Sequence, residues 1–511
     1  MSTTTTDPQV TAKTGEQYLD SLRDGRVVQH AGERIEDVTA HELTRAGAAT
    51  LADLYQDQHR DGTRELLTYV RDDGKRVTGS YMLTRTREEQ AHRREIIEHY
   101  SRRTFGVFGR GLDMISMLHL GLVAHHPTFV EDCPEFADNI LRYRDYAEEN
   151  NIHLAEVIAD PQGYRGRVNG TPFDATPPER ATLRVVKQDS EGIWISGCKV
   201  VGTASVYAHE VMIGTIHAKV DDESFWCVVP MNAPGVTIFL REHTHLPNTN
   251  RRDHPIDAQG DEFEALLAFE EVFVPNERIM SLRLTKHHGV NIYNDWARLE
   301  HWYTFVRVTV KAELYAGLAQ LIVDTLELGG VSAVRQRVSQ VFEYAAILRS
   351  LVIAAEEQAK ESPYGLLEPD MATVSVGRTY ALSHLPEIHH ILQDICGQGL
   401  MLRFSPADLE TKAAFGQKLS WFLDTKATSA EDKNLVMNLV WDATCSAGAS
   451  RMQLFEQQNG LPVPFLRERV YSEYDRDQAV SDCRNFIGLP DVERVPYAPI
   501  LSQALGGRGK A

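Results

Sequence analysis

One arginine is set among glycines in Phe105-Gly106-Val107-Phe108-Gly109-Arg110-Gly111-Leu112-Asp113-Met114. Glycine turns let backbone approach a ligand closely, and a guanidinium inside one offers a fixed, planar set of donors to an oxyanion. Further on, Ile152-His153-Leu154-Ala155-Glu156-Val157-Ile158-Ala159-Asp160-Pro161-Gln162-Gly163-Tyr164-Arg165 places an imidazole, carboxylates and a guanidinium around a Pro-Gln-Gly turn. A carboxylate such as Glu156 holds a cationic group, or takes a proton if burial raises its pKa. In Ser196-Gly197-Cys198-Lys199-Val200-Val201-Gly202-Thr203-Ala204-Ser205 a hydroxyl follows a strand-like run. Gln458-Asn459-Gly460 closes a helical run with two amides and a glycine. Each feature also has an ordinary structural reading: a turn before a helix, a solvated glutamate, a strand-end threonine and a helix stop.

These residues fall on elements of different kinds. From about Glu42 to Asn150 the apolar spacing is helical, with Ile96, Ile97 and Tyr100 and then Ile140, Tyr143 and Ala147 on one face. After Asp160-Pro161 the pattern changes to strands separated by turn residues over 181–240, and Phe269 to Met280 reads as one further strand that ends at Pro275. Helical periodicity returns beyond Ala297, with breaks near 363–369, 397–406 and 459–464. The expected units are a tail over 1–13, an N-terminal helical domain over 14–150, a central antiparallel β domain over 151–290 and a C-terminal helical bundle over 291–511. Helices, then strands, then helices specify an α+β chain.

Composition narrows the function. The 511 residues carry a formal charge of −19 and no block of consecutive Lys or Arg, which argues against nucleic acid and against an anionic membrane surface. The apolar stretch Phe305 to Leu328 contains Arg307, Lys311, Glu313 and Asp324, so it is not expected to span a bilayer. The N-terminal MSTTTTDPQV has no signal-peptide character. The six cysteines are scattered singly, as expected of free thiols in the cytoplasm. The histidine pairs at 125–126, 287–288 and 389–390, and His243-Thr244-His245, lack helical i, i+4 spacing with a carboxylate, so no metal is expected. No strand-linked glycine fingerprint for a nicotinamide dinucleotide is present.

The segment from Thr14 to His41 resembles the N-terminal signature of the 4-hydroxyphenylacetate 3-hydroxylase large-component family, the oxygenase halves of two-component flavin monooxygenases. The resemblance rests on Tyr18-Leu19, Ser21-Leu22, Asp24-Gly25-Arg26, Gly32, Arg34 and Asp37-Val38-Thr39 in one register, with Tyr55, Asp57 and His59 as a second short match. Phe269 to Met280 is similar to the strand that closes the β domain of the acyl-CoA dehydrogenase-like fold. The resemblance implies that fold over nearly the whole chain, from Gly15 to about Asp475.

It also implies an activity. FADH2 would be made by a separate NAD(P)H:flavin reductase and react with O2 to a C4a-hydroperoxyflavin, which hydroxylates an aromatic ring; the oxygenase would be a homotetramer. Residue by residue, Arg110 matches the arginine that binds phenol and flavin. Met114 stands where the family has a substrate-gripping tyrosine, and Glu156 where it has the histidine that serves the phenol. Pro161, Gln162 and Arg165 match the flavin loop, with Asp160 and Tyr164 departing from it. Thr203 falls where a hydroxyl contacts the flavin near N5. Thr215 and Ile216 fall on the substrate loop, and Gln458, Asn459 and Gly460 on a second flavin loop. The changes at 114 and 156 predict a substrate other than simple 4-hydroxyphenylacetate, a phenol-like aromatic that is larger or bears an amine, in secondary metabolism. An acyl-CoA dehydrogenase-type flavoenzyme and a homologue without catalysis stay open; the signature argues against the first, and retained Arg110, Gln162, Arg165 and Thr203 against the second.

Overall fold

The computed structural model describes residues 10–161, 182–215, 221–283, 295–411 and 414–490. Helices come first. Thr14 and Thr86 each start one with a reciprocal capping box, to Gln17 and Glu89, which satisfies N–H groups that the helix itself leaves unpaired. The helices Arg87–Arg103 and Met114–Ala124 flank the segment that carries Arg110, and Met114–Ala124 is buried along its whole length.

Two sheets follow. The larger contains β1 (Val27–His30), β2 (Glu33–Ile35), β6 (Arg184–Gln188), β7 (Gly192–Lys199), β10 (Val236–Leu240) and β11 (Ala265–Pro275) in the order β2-β1-β10-β11-β7-β6, while Thr68–Val70 and Arg76–Thr78 form a separate hairpin, β3 and β4. The smaller sheet has the order β12-β9-β8-β5, from β5 (Leu154–Val157), β8 (Glu210–Ile213), β9 (Phe225–Pro230) and β12 (Ile279–Leu282). The sheets are mostly antiparallel, as expected, but β1 lies parallel to β10 and β5 parallel to β8. Sequence alternation shows that a strand exists but does not say which neighbour it pairs with. β11 runs to Pro275; the Asn276 N–H makes one more bond across, to the Glu191 carbonyl at 3.0 Å, before the chain turns at Asn276–Arg278.

The third part is a bundle built around Arg298–Thr325, a helix buried on every side through its first half, against which Ser332–Glu357 and Met371–Cys396 pack. The charges that mark this stretch as non-spanning are inside the protein: Arg307 is fully buried and Lys311 nearly so. Among the described residues Ser332–Glu357 is long and apolar enough to cross a membrane by length and composition, and here it lies against its two neighbours in the bundle. All six cysteines are free thiols. Helices, two sheets and a bundle make up the expected α+β, acyl-CoA dehydrogenase-like arrangement.

Candidate functional site

The Arg110 segment is fastened from several directions. Arg93 pairs with Asp113 at 2.7 Å, both fully buried, and Arg307 donates to the Gly106 carbonyl at 3.1 Å. The Arg110 N–H donates to Glu262, whose other carboxylate oxygen accepts from Arg451 at 2.8 Å. The Arg110 guanidinium pairs with Glu156 on β5. Two residues far apart in sequence and chosen on separate grounds thus meet in one ion pair. Both side chains are mostly buried, where a hydrogen-bonded pair keeps its geometry and is weakly screened.

Glu262 also positions Thr203. Its carbonyl and that of Phe263 accept the Ala204 N–H at 3.1 and 2.9 Å, and the Gly202 N–H donates to Ala265 at 2.9 Å. The turn is bent back by positive φ at Val201 (62°) and Ala204 (60°). Thr203 is buried, and its hydroxyl makes one long contact of 3.5 Å with the Val201 carbonyl. The signature residues brace this turn from behind. The Tyr18 hydroxyl donates to the Tyr207 carbonyl at 2.8 Å, and Arg26 donates to the carbonyls of Val206 and Ala208 at 2.9 and 2.8 Å. Lys199, itself buried, ties the end of β7 to Asp160 at 2.7 Å.

His153 is a core residue: its Nδ1 lies 3.2 Å from the Tyr207 carbonyl, and burial pushes its pKa down to about 4. Met114 is wholly buried in the hydrophobic core at the start of its helix. Thr215 is buried just beyond β8, where the Gly214 N–H donates to Val157 at 3.2 Å, beside the strand end that carries Glu156. Gln458 is exposed, whereas Asn459 is buried and Gly460 has a φ of +67°. Gln162, Tyr164, Arg165 and Ile216 lie outside the described residues.

Several groups at the site escaped the sequence reading. Glu300, His301 and Thr304 come from the first turns of Arg298–Thr325, and Arg378 from Met371–Cys396. The Arg378 guanidinium donates to His301 Nδ1 at 2.5 Å and to the Asn459 carbonyl at 2.6 Å. The Asn459 amide donates to Thr304 at 3.4 Å, and Thr304 donates to Glu300 at 3.2 Å. Burial pushes the Glu300 carboxyl up, against the charge of Arg110, while nearby Glu156 pushes it further up. Burial pushes Arg378 down to about 10, so it stays charged near neutrality, and burial together with Arg378 holds His301 neutral. The signal for these residues was a Glu-His pair inside Leu299-Glu300-His301-Trp302-Tyr303, polar groups at positions the apolar pattern buries.

Among the described residues, Arg110 Nε, His301 Nε2 and Asn459 Oδ1 are buried without a hydrogen-bond partner. A Cβ at Gly460 would stand 3.1 Å from both Arg378 and His301, so the chain approaches this cluster as closely as glycine allows. Buried polar atoms left unmatched are costly in an otherwise satisfied interior. Two donors and an acceptor, contributed by three separate segments around one ion pair, are suited to a polar, planar ligand. A polar surface cleft lined by Asn248, Asn250, Asp253, His254, Arg403 and Asn438 contains none of these groups. Beside it the fold brings His254 to 3.2 Å from Asp442, and an Asp442 oxygen accepts the N–H groups of Ile256 and Asp257 at 3.0 and 3.3 Å.

The chain is similar to known proteins along nearly its whole length. Over 502 residues the chain is 29% identical to the oxygenase component of a 4-nitrophenol 4-monooxygenase/4-nitrocatechol 2-monooxygenase from Rhodococcus opacus, covering 94% of this chain and 92% of that protein. It is 28% identical to a 4-hydroxyphenylacetate 3-monooxygenase oxygenase component from Thermus thermophilus, covering 93% and 97%. A crystal structure of the oxygenase component of 4-hydroxyphenylacetate 3-monooxygenase complexed with FAD and 4-hydroxyphenylacetate superposes with a TM-score of 0.86 at 26% identity, over 93% of this chain and 98% of that one. Residues 14–281 match the family model described as 4-hydroxyphenylacetate 3-hydroxylase N terminal and residues 293–488 match its C terminal counterpart, so the chain belongs to the 4-hydroxyphenylacetate 3-hydroxylase family.

Proposed function

We propose that this protein is the oxygenase component of a two-component flavin-dependent monooxygenase that hydroxylates a phenolic ring. The observation that carries the reading is the Arg110–Glu156 pair set beside buried, unmatched Arg110 Nε, His301 Nε2 and Asn459 Oδ1. Those atoms and the close approach at Gly460 fit a flavin edge and a phenol oxygen together. Arg110, Thr203, Asn459 and Gly460 would hold FAD, joined by Gln162, Tyr164, Arg165 and Gln458. Arg110, Glu156, Met114, Thr215 and Ile216 would surround the substrate. Reduced flavin, when bound with O2, supplies the electrophilic oxygen.

The chain's own part is to orient the ring, exclude water and manage one proton. Glu156 takes the proton from the phenol O–H, and Arg110, released from the carboxylate it held, stabilises the oxygen left with the electron pair. An ionised phenol is the more electron-rich ring. Because Arg110 already neutralises Glu156, the pair suits a neutral phenol better than an ammonium group. The reading includes a separate NAD(P)H:flavin reductase, a tetrameric assembly and a cytoplasmic setting, the last in keeping with six free thiols.

Anaerobic titration with FADH2 tests it, followed by mixing with O2 and a panel of phenols including 4-nitrophenol and 4-hydroxyphenylacetate. Saturable flavin binding and a hydroxylated product are expected. Flavin binding with release of hydrogen peroxide alone across the panel would sink the reading.

A further inference from the structure

We propose that Arg378 is a positioning residue that locks His301 in the Nε2–H form, so that His301 donates a hydrogen bond to the substrate oxygen while the proton departs through Glu156. The inference rests on the phenol-hydroxylase reading above and assigns a proton route within it. Its basis is the chemistry of a guanidinium, which has five N–H donors and no acceptor. Arg378 Nη1 lies 2.5 Å from His301 Nδ1, so Nδ1 must be the accepting nitrogen and the ring hydrogen must sit on Nε2. The guanidinium cannot readily turn away, since Nη2 is held by the Asn459 carbonyl at 2.6 Å. Arg378 is 3% exposed and His301 is 1% exposed, so bulk solvent does not compete for either.

His301 is therefore a poor base. Its accepting nitrogen is taken, and a second proton would place an imidazolium against a guanidinium in a buried setting. Every charged group facing the ring bears on this. Arg378 on Met371–Cys396 and Arg469 on Val463–Glu473 oppose an imidazolium, as does Arg298 on the histidine's own helix. Glu300, 3.5 Å from Nδ1, is the carboxylate beside it, and burial favours its neutral form. What remains is an N–H at Nε2, buried and unmatched among the described residues. On the same helix as His301, Arg307 donates to the Gly106 carbonyl at 3.1 Å and the Tyr303 hydroxyl would stand 3.1 Å from a Cβ on Gly111, so this helix lies along the Arg110 segment. In the step, the phenol O–H bond breaks and an O–H bond forms on Glu156. The electron pair stays on the phenol oxygen, which accepts from Arg110 and from His301 Nε2–H.

The test uses the full chain, and 4-nitrophenol, whose absorbance reports its ionisation, as probe. His301→Gln keeps an N–H donor and should bind 4-nitrophenol within about threefold of the parent, whereas His301→Ala should lose about tenfold, as for one buried hydrogen bond. Arg378→Met should free Nδ1, so that the 15N signals of His301 show an Nδ1–H population while burial still keeps the ring neutral, and Arg378→Lys should keep the Nε2–H form. Equal losses for His301→Gln and His301→Ala, or the Nε2–H form alone in a folded Arg378→Met, would overturn the proposal. Should Arg378→Met not fold, 15N signals of labelled histidine in the unsubstituted, ligand-free chain decide, with the His301 signal identified by its loss in His301→Gln. A protonated Nε2 is expected, and a protonated Nδ1 refutes the lock. Because that measurement needs no substrate or flavin, failure of the lock is separable from failure of the phenol-hydroxylase reading, which would show as no product from any phenol.

Discussion

Gly109 is seated against the ring of Phe455, so closely that a Cβ on the glycine would overlap the ring edge. The contact joins the segment that carries Arg110, paired with Glu156, to the helix Ala447–Gln458. Gly109→Ala should cost about 1–3 kcal/mol as an overpacked site and lower kcat/KM by misplacing Arg110. Adding Phe455→Leu should recover part of both losses. Thermal unfolding and steady-state kinetics on the two variants check this, and recovery of stability without recovery of kcat/KM would separate packing from alignment.

The Arg110–Glu156 pair yields a split in kinetic parameters. Glu156→Gln keeps the shape and hydrogen bonding but cannot take a proton, so kcat should fall about 10²-fold or more with KM changed little. Arg110→Met should raise KM as well, because it removes a group that touches the substrate and leaves Glu156 without its partner. Comparable effects on KM alone from both changes would rule out a proton-accepting role for Glu156.

Arg307 and Lys311 both pair with Glu456, at 2.7 Å for Arg307, in a wholly buried triad beneath the Arg110 segment. Burial on its own would raise the Glu456 pKa, but the two cations outweigh it and hold the carboxyl down to about 2. With the folded value below the unfolded one, the unfolded chain binds the proton first. This contribution to stability is therefore complete above the ordinary glutamate range and is lost as pH falls through that range toward 2. Glu456→Gln should destabilise the protein by about 3–5 kcal/mol at neutral pH, by leaving two buried cations, and should flatten the acid limb between those values. Urea unfolding as a function of pH measures both effects.

His153 tests the distinction between a core and a catalytic histidine. With its pKa pushed down to about 4 by burial, it resists protonation in the folded state. Its contribution therefore falls as pH drops from the ordinary histidine value toward 4. His153→Gln should lower Tm yet leave kcat within about threefold, as expected for loss of a packed core group rather than a reacting one. A loss of kcat comparable to that of Glu156→Gln would return His153 to the site.

Much was legible in the sequence because it depends on local pattern. The change from helical to alternating periodicity placed β6 to β9 and β11 but not β1 to β5, which lie before the stretch read as strands; Pro275 closes β11, and the run Tyr18 to Thr39 carried the family resemblance. Arg110, Glu156 and Thr203 stood out by residue type in glycine-rich or turn contexts. The sequence also showed that Arg307 and Lys311 interrupt an apolar helix, although not that they meet Glu456.

Only the tertiary structure decided which of these groups face one another. Arg110 and Glu156 form one pair, and Glu262 holds the Arg110 and Thr203 turns together, because distant segments are brought side by side. The signature residues Tyr18 and Arg26 support the turn behind Thr203 through backbone carbonyls, which no side-chain pattern encodes. Glu300, His301 and Arg378 lay hidden in helices whose periodicity reads as core, and their chemistry came into view only once packing left His301 Nε2 unmatched among the described residues. Local composition specifies helices, strands and turns through backbone propensity and burial, whereas hydrogen-bond partners, tautomers and ion pairs are set by contacts between residues far apart in the chain.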